Sequence, residues 1–266
     1  MGRAGARGSS PARRAAVRLI PLLAVTVLGV ALPAGGGDAM PLRESAHDSM
    51  LRLAVARPPA AVAYARVRAH GQPIATLLRA TALRATPGGR RVAHLAIHTE
   101  FGSPRVFAAV QERGGWLRVM ASQLPNGSTG WIPASATSLM ADPWQVRASL
   151  SQRRVEVLRH GHVVRSFTVA IGRAQTPTPV GAYAVTDRLI ILNRGVGYGC
   201  CALALTGHQP NLPQGWGGGD RLAIHSTDDP TSIGQPASTG CLRASDQDAR
   251  WLVDHVYLGT LVEIRP

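Results

Sequence analysis

One cysteine and one histidine in the C-terminal half have the types and spacing that nucleophilic catalysis requires. Cys241 follows Gly240 in the run 238–243, and His225 ends the apolar run 222–225 sixteen residues earlier. A thiol nucleophile needs a base to take its proton and donors for the oxyanion that forms at the attacked carbonyl. Because glycine lets the backbone turn sharply, amide N–H groups near the cysteine can face that carbonyl. The pattern predicts acyl transfer through a thiolate beside an imidazole.

The residues around this pair resemble the signature of the L,D-transpeptidase catalytic family, also called YkuD. That signature is a histidine followed by Gly or Ser, a loop, and then Ser-His-Gly-Cys, an aliphatic residue and commonly Arg. The matching residues here are His225, Ser226, Ser238, Gly240, Cys241, Leu242 and Arg243. One position departs from the family, because Thr239 stands where the second histidine is expected. Together with the runs at 169–172, 176–183 and 202–205, the resemblance spans residues 145–266.

The resemblance implies a two-step acyl transfer on peptidoglycan stem peptides. Cys241 would attack the carbonyl with His225 as its base, D-alanine would leave, and an amine from a second stem would resolve the thioester into a cross-link. Thr239, Gly240 and Cys241 would supply backbone N–H donors to the oxyanion. The Ser226 carbonyl would fix the tautomer of His225. No metal or organic cofactor is implied, and β-lactams such as carbapenems are expected to acylate the cysteine.

Three further residues are candidates for substrate contact. Arg243 is suited to recognising a carboxylate, and Ser238 belongs to the same motif as the nucleophile. Tyr198 lies among glycines at 195, 197 and 199 and could line a flexible lid.

The other cysteines and histidines predict no second catalytic site. Adjacent Cys200 and Cys201 are poorly placed to bridge each other, because disulfide geometry is specific. His160 and His162 flank a hairpin turn without a clear third ligand, so we expect no metal site there. The sequence contains no lysine, which excludes a lysine base or a Schiff base.

Several other functions remain open at this stage. A papain-like peptidase has its nucleophile before its histidine, the reverse of the order found here, and a sortase usually separates the two more widely. Water as the acceptor would give an L,D-carboxypeptidase. The loss of the ring at Thr239 leaves open a catalytically impaired protein that binds the cell wall.

The elements that must position these residues are mostly strands. Alternating runs at 154–158 and 163–170 flank His160-Gly161 and predict a hairpin. Further strands are expected at 182–188, 220–225 and 261–265. One helix is expected at 245–256, where Ser245 is a plausible N-cap with Asp248 three residues on. By its resemblance, the catalytic domain at 143–266 is expected to be an L,D-transpeptidase-type β-sandwich with one short helix.

Residues 62–141 predict a second, smaller β domain. Short apolar runs alternate there with turn signals, and Asn126-Gly127 is a strong hairpin signal between the runs at 115–119 and 130–133. These runs resemble bacterial SH3-like barrels, a resemblance that implies either attachment to the cell wall or a spacer role. Residues 37–61 are rich in Ala, Pro and Arg and are interpreted as a linker.

The N-terminus and the charge predict an exported protein. Five arginines in the first 18 residues precede an uncharged run at 19–32, as in a secretory signal. Residues 1–36 are therefore expected to be a signal peptide or an uncleaved anchor, with the protein in the cell wall, periplasm or outer face of the membrane. The net charge of +14 suits anionic cell-wall polymers. No nucleic-acid motif accompanies it.

Overall fold

The computed structural model of the chain describes residues 58–192, 197–212 and 219–266. All of them belong to one compact unit, and most lie in two large β-sheets. The expected signal or anchor and most of the expected linker fall outside these residues. Within the described ranges, neither α-helix has the length and apolar character needed to cross a membrane.

The first sheet has seven strands, all paired in antiparallel fashion. Its strands are β1 (Gln72–Leu77), β2 (Thr81–Arg84), β3 (Arg91–Leu95), β4 (Val106–Arg113), β5 (Trp116–Val119), β6 (Gly130–Pro133) and β7 (Thr137–Asp142). Their order is β3-β2-β6-β5-β4-β1-β7. One face encloses its own apolar core, in which Leu83, Leu95, Leu117 and Ile132 are fully buried. The runs before and after Asn126-Gly127 pair as β5 and β6, as predicted, but the connection between them has ten residues. Gly127 has a φ of 75°, whereas Asn126 does not take the positive φ that a two-residue turn would need.

Helix α1 (Ala60–Arg68) packs on this sheet, although the sequence was interpreted as a linker up to residue 61. Its alanines favour a helix, but none of its residues is buried, and its sequence lacks the apolar stripe at helical spacing that predicts a surface helix. The hydroxyl of Tyr64 donates to the carbonyl of Ala109 on β4 at 3.3 Å. That contact joins residues 45 positions apart, which explains why local patterning did not reveal the helix.

The second sheet has eight strands and carries the residues of the candidate site. Its strands are β8 (Trp144–Ser149), β9 (Arg154–Arg159), β10 (His162–Thr168), β12 (Gly181–Ile190), β13 (Cys201–His208), β14 (Arg221–Ser226), β16 (Leu242–Ala244) and β17 (Leu261–Arg265), while β11 (Ile171–Gly172) pairs separately with β15 (Pro236–Ser238). The order is β10-β9-β8-β17-β12-β13-β14-β16, with parallel pairs at β8–β17 and β14–β16. The predicted β9–β10 hairpin is confirmed, with positive φ at His160 and Gly161.

Helix α2 (Asp246–His255) follows β16 and packs on β13 and β14. Ser245 is its N-cap, as predicted, and its hydroxyl accepts the Asp248 N–H at 3.1 Å. Ala249, Leu252 and Val253 form the buried stripe of the helix. The helix thereby covers β13 and β14, and β14 is the strand that carries His225.

Asp142 joins the two sheets at the end of β7. Its carboxylate accepts the Trp144 N–H at 3.0 Å and the Thr260 hydroxyl at 2.6 Å, and the side chain is 1% exposed. Burial raises the pKa of Asp142 to about 6 from 3.8, against the opposing effect of these two hydrogen bonds. The folded protein therefore favours the protonated carboxyl, a preference that is fully present below pH 3.8 and is lost as the pH rises through 6.

We predict that Asp142→Asn gains stability relative to wild type as the pH rises from 4 to 7, by roughly 2 kcal/mol in total. The asparagine does not titrate, so the difference between the two proteins isolates this one carboxyl. Urea unfolding of both proteins at several pH values measures it. A difference that does not change with pH would contradict the account.

Candidate active site

His225 lies near the end of β14, between β13 and β16. It is 3% exposed and lies opposite Ala202 of β13 and Arg243 of β16. Its Nδ1 is 2.7 Å from the carbonyl oxygen of Ser226. Because a carbonyl can only accept, Nδ1 carries the proton and Nε2 is left with a free lone pair. The local backbone thus selects the tautomer that a general base needs.

Cys241 precedes β16 and lies against the strand that carries the histidine. Its thiol is 3.8 Å from the carbonyl oxygen of Arg221, four residues before His225 on β14. Arg243 pairs with His225, so their side chains share a face of the sheet, and Cys241 comes two residues before Arg243. The cysteine is partly buried and keeps some exposure. The structure therefore brings the predicted nucleophile against β14, the strand that carries the predicted base.

A tight turn at 238–241 presents the cysteine. The Ser238 hydroxyl donates to the Cys241 carbonyl at 2.6 Å and accepts the Gly240 N–H at 3.0 Å. Ser238 was expected to contact substrate, but it is 1% exposed and its hydroxyl is used inside the turn. The Gly240 amide is engaged there as well. Of the three expected oxyanion donors, the amides of Thr239 and Cys241 are those that the turn leaves for a substrate carbonyl.

Gln209 supports this turn, although no sequence motif indicates it. Gly240 has a φ of 121°, and a Cβ at that position would lie 2.2 Å from Gln209 Nε2. The same amide donates to the carbonyl of Pro177 at 2.8 Å, and Gln209 is 5% exposed. A side chain therefore occupies the space that only a glycine leaves open. Gln209 lies 31 residues before Gly240 in the chain, so no local motif could indicate the contact.

Burial keeps both reacting groups neutral at rest. It lowers the pKa of His225 to about 4, an effect that the Ser226 hydrogen bond opposes and the positive charge of Arg243 reinforces. Burial also raises the pKa of the Cys241 thiol, against the weaker opposing effects of a backbone hydrogen bond and of Arg243. Burial therefore favours the neutral thiol over the thiolate that the sequence predicts. The pair is a thiol beside a neutral imidazole, and the proton must move as the sulfur attacks.

Two predicted substrate-contact residues surround this pair. The ring of Tyr198 lies 4.6 Å from the His225 ring, tilted by 35°, and Tyr198 is 41% exposed. Burial raises the pKa of the Tyr198 hydroxyl, with Cys241 acting in the same direction and Arg243 against it. The buried Nε of Arg243 has no hydrogen-bond partner in the described part of the chain. Its backbone bonds Ala170 in both directions, which fixes the base of the side chain.

Cys200 and Cys201 form a disulfide, so the expectation that they would not bridge is wrong. Their Cα atoms are 3.8 Å apart, which is the spacing of any two residues joined by a trans peptide bond. This distance is shorter than the Cα–Cα distance in most disulfides. The bridge closes where the backbone enters β13, a local conformation that the sequence does not specify. Cys241 remains the free thiol. Among the described residues, no group of three or more His, Cys, Asp or Glu side chains could hold a metal ion.

Known proteins similar to this chain match mainly its C-terminal half. The model of the L,D-transpeptidase catalytic domain (YkuD) matches residues 143–264. A putative L,D-transpeptidase YkuD from Bacillus licheniformis is 31% identical over 124 residues, which cover 47% of this chain and 67% of the relative. L,D-transpeptidase 2 from Mycobacterium tuberculosis is 32% identical over 114 residues, covering 40% of this chain and 27% of that protein.

A solved L,D-transpeptidase in complex with imipenem is similar over 75% of this chain and 84% of its own, with 21% identity and a TM-score of 0.37. The matched residues 143–264 contain both His225 and Cys241. On the strength of the family match and of the Bacillus relative, this chain belongs to the L,D-transpeptidase (YkuD) family.

Proposed function

We propose that this chain is a cysteine-dependent acyltransferase that remodels or cross-links peptidoglycan through a thioester on Cys241. The observation that carries the proposal is a partly exposed cysteine against the strand of a histidine whose Nε2 is left to take a proton. Membership of the L,D-transpeptidase family supports the reaction class.

The first step is attack by sulfur on a stem-peptide carbonyl. As the S–C bond forms, the thiol proton moves to Nε2 of His225, and the backbone amides of Thr239 and Cys241 stabilise the oxyanion. Collapse of the tetrahedral intermediate breaks the C–N bond, and His225 returns the proton to the departing D-alanine amine. A neutral resting pair suits this sequence, because no preformed ion pair has to be separated.

The second step is attack on the thioester by an amine. His225, again neutral, takes a proton from that amine, the new amide bond forms, and the thiol of Cys241 is released. Arg243 lies beside the reacting pair, and its buried Nε has no hydrogen-bond partner among the described residues, which supports a role in holding a substrate carboxylate. Water in place of the amine would give an L,D-carboxypeptidase by the same steps.

We further propose that the protein acts outside the cytoplasm. The arginine-rich start and the apolar run at 19–32 support export to the cell wall, the periplasm or the outer face of the membrane. The seven-stranded sheet at 72–142, with its short hairpins, supports the interpretation as an SH3-like domain, with anionic wall polymers as a partner for the basic chain.

Imipenem is predicted to acylate Cys241 and neither Cys200 nor Cys201. A β-lactam carries a strained amide that a positioned thiol can open, whereas the two other sulfurs are joined in a disulfide. Intact-mass measurement should show one adduct, and peptide mapping should place it on Cys241. A folded protein that forms no adduct would support the impaired wall-binding alternative.

Product analysis with a tetrapeptide stem, with and without a second amine, shows whether the acceptor is an amine or water. Cross-linked product that depends on the amine supports a transpeptidase. Tripeptide as the only product in both reactions indicates a carboxypeptidase.

A further inference from the structure

The Cys200–Cys201 disulfide lies one contact away from the candidate base. Ser226 links the disulfide segment to the base. Its backbone carbonyl accepts both the His225 Nδ1–H at 2.7 Å and the Gly199 N–H at 3.0 Å. The Ser226 hydroxyl oxygen accepts the Cys201 N–H at 3.0 Å. Both polar groups of Ser226 are thus held by the segment 199–201, which contains the disulfide.

The same segment also sets the ring that covers His225. Tyr198 stacks on the imidazole and is separated from Cys200 by Gly199 alone. A Cβ on Gly199 would lie 2.5 Å from the Ser226 hydroxyl oxygen and 2.2 Å from Asp246 Oδ1, so the backbone is packed tightly there. The Cys200 N–H donates to the same Asp246 oxygen at 3.2 Å. A small movement at 199–201 would therefore shift Ser226 and Tyr198 together.

We propose that the Cys200–Cys201 disulfide is a positioning device for the catalytic base, holding the segment 198–201 so that Ser226 and Tyr198 fix the imidazole of His225. The inference rests on the proposed function, because it assigns the device to the base of that reaction. A bond between adjacent side chains closes a small ring that includes the intervening peptide. It therefore restricts ψ of Cys200 and φ of Cys201, the dihedrals that set the direction of the Cys201 N–H group, which donates to Ser226.

Reduction removes this restriction without removing any atom that contacts His225. A phosphine such as TCEP reduces the bond with the consumption of one water, giving two thiols and one phosphine oxide. Cys201 is fully buried, whereas Cys200 is partly exposed, so the reductant reaches the bond through the Cys200 sulfur. The base then keeps its contacts but loses the constraint on the backbone that supplies them.

The experiment compares oxidised and TCEP-reduced wild type in the rate of imipenem acylation of Cys241. Alkylation under denaturing conditions should count one thiol in the oxidised protein and three after reduction. We expect reduction to lower the limiting first-order acylation rate roughly tenfold, because misplacing a catalytic group slows chemistry. The imipenem concentration at half-maximal rate should change little. The acid limb of the pH–rate profile should move upward in pH as water gains access to His225, a change that loss of overall stability would not produce.

The double variant Cys200→Ser/Cys201→Ser is the matched control. It should react at the rate of reduced wild type and should not respond to TCEP. Reduction of wild type that leaves both the rate and the pH profile unchanged would overturn this inference while leaving the proposed function intact. So would three free thiols in the protein as isolated. An oxidised wild type that forms no adduct would overturn the proposed function and this inference with it.

Discussion

Replacing Cys241 with alanine is expected to abolish acyl transfer and imipenem labelling while leaving the protein folded. Cys241 carries the one free thiol among the described residues and lies against β14, the strand of the candidate base. Removing a covalent nucleophile leaves only binding and oxyanion contacts, so we expect a loss of at least about 10³-fold in turnover. The muropeptide products of wild type and variant measure the loss directly.

The fold should survive this substitution for a structural reason. Cys241 is partly exposed, and its sulfur makes weak contacts with the backbone of β14, including one of 3.8 Å to the Arg221 carbonyl oxygen. The contacts that hold the turn come from Ser238 and from the backbone of Gly240 and Cys241, which alanine retains. Thermal unfolding should therefore change little. Turnover that persists in the alanine variant would show that the nucleophile lies elsewhere.

Serine at this position makes a second comparison. The hydroxyl of Cys241→Ser has nearly the shape of the thiol but is far harder to deprotonate. If the neutral imidazole of His225 can assist only a thiol, the serine variant should be about as inactive as the alanine variant. The Cys200→Ser/Cys201→Ser protein completes the set, because at the end of a long reaction it should still carry one imipenem, on Cys241.

The sequence could predict those parts of the site that lie in short, contiguous motifs. His225 and Cys241 were found because each stands in a run of residues that the family shares. The helix cap at Ser245 and the hairpin at His160-Gly161 were found because their geometry favours particular residue types at nearby positions. In each case the structure depends on residues close together in the chain, so a short sequence motif is enough to predict it.

The parts that were missed depend on contacts between distant segments or on local backbone conformation. Gln209 against Gly240 and Tyr64 against Ala109 join positions far apart in the chain, and neither residue type is unusual where it stands. The disulfide was missed for a different reason. Adjacent cysteines can bridge only in a restricted backbone conformation, and only the structure shows that the entry to β13 adopts it.

The ionisation state of the pair also had to come from the structure. The sequence predicted an ionised sulfur, because a histidine nearby usually implies an ion pair. Burial reverses that balance, since it penalises the thiolate and the imidazolium alike. The burial of a residue depends on the whole fold, so a short motif does not predict how burial shifts the pKa of that residue.

The second large effect is expected at His225. His225→Asn should keep the hydrogen bond to the Ser226 carbonyl, because its amide nitrogen takes the position of Nδ1, but it cannot accept a proton. General base catalysis by a positioned side chain contributes about 10²–10⁴-fold, so the acylation rate should fall by that factor. Gln209→Ala is a useful contrast, because it loosens the turn under Gly240 without removing the base, and a smaller loss is expected there.

The pH profile of wild type tests the same assignment without a mutation. The base works in its neutral form, and its pKa is lowered to about 4, so the acylation rate should persist as the pH falls and decline only near pH 4. Stability must be followed in parallel. The neutral, buried histidine contributes stability above the unfolded pKa of 6.5, and this contribution is lost as the pH falls through 4. Circular dichroism at each pH separates unfolding from protonation. An acid limb near pH 6.5 in folded protein would mean that His225 is solvated when it reacts, and the neutral thiol–imidazole pair would have to be abandoned.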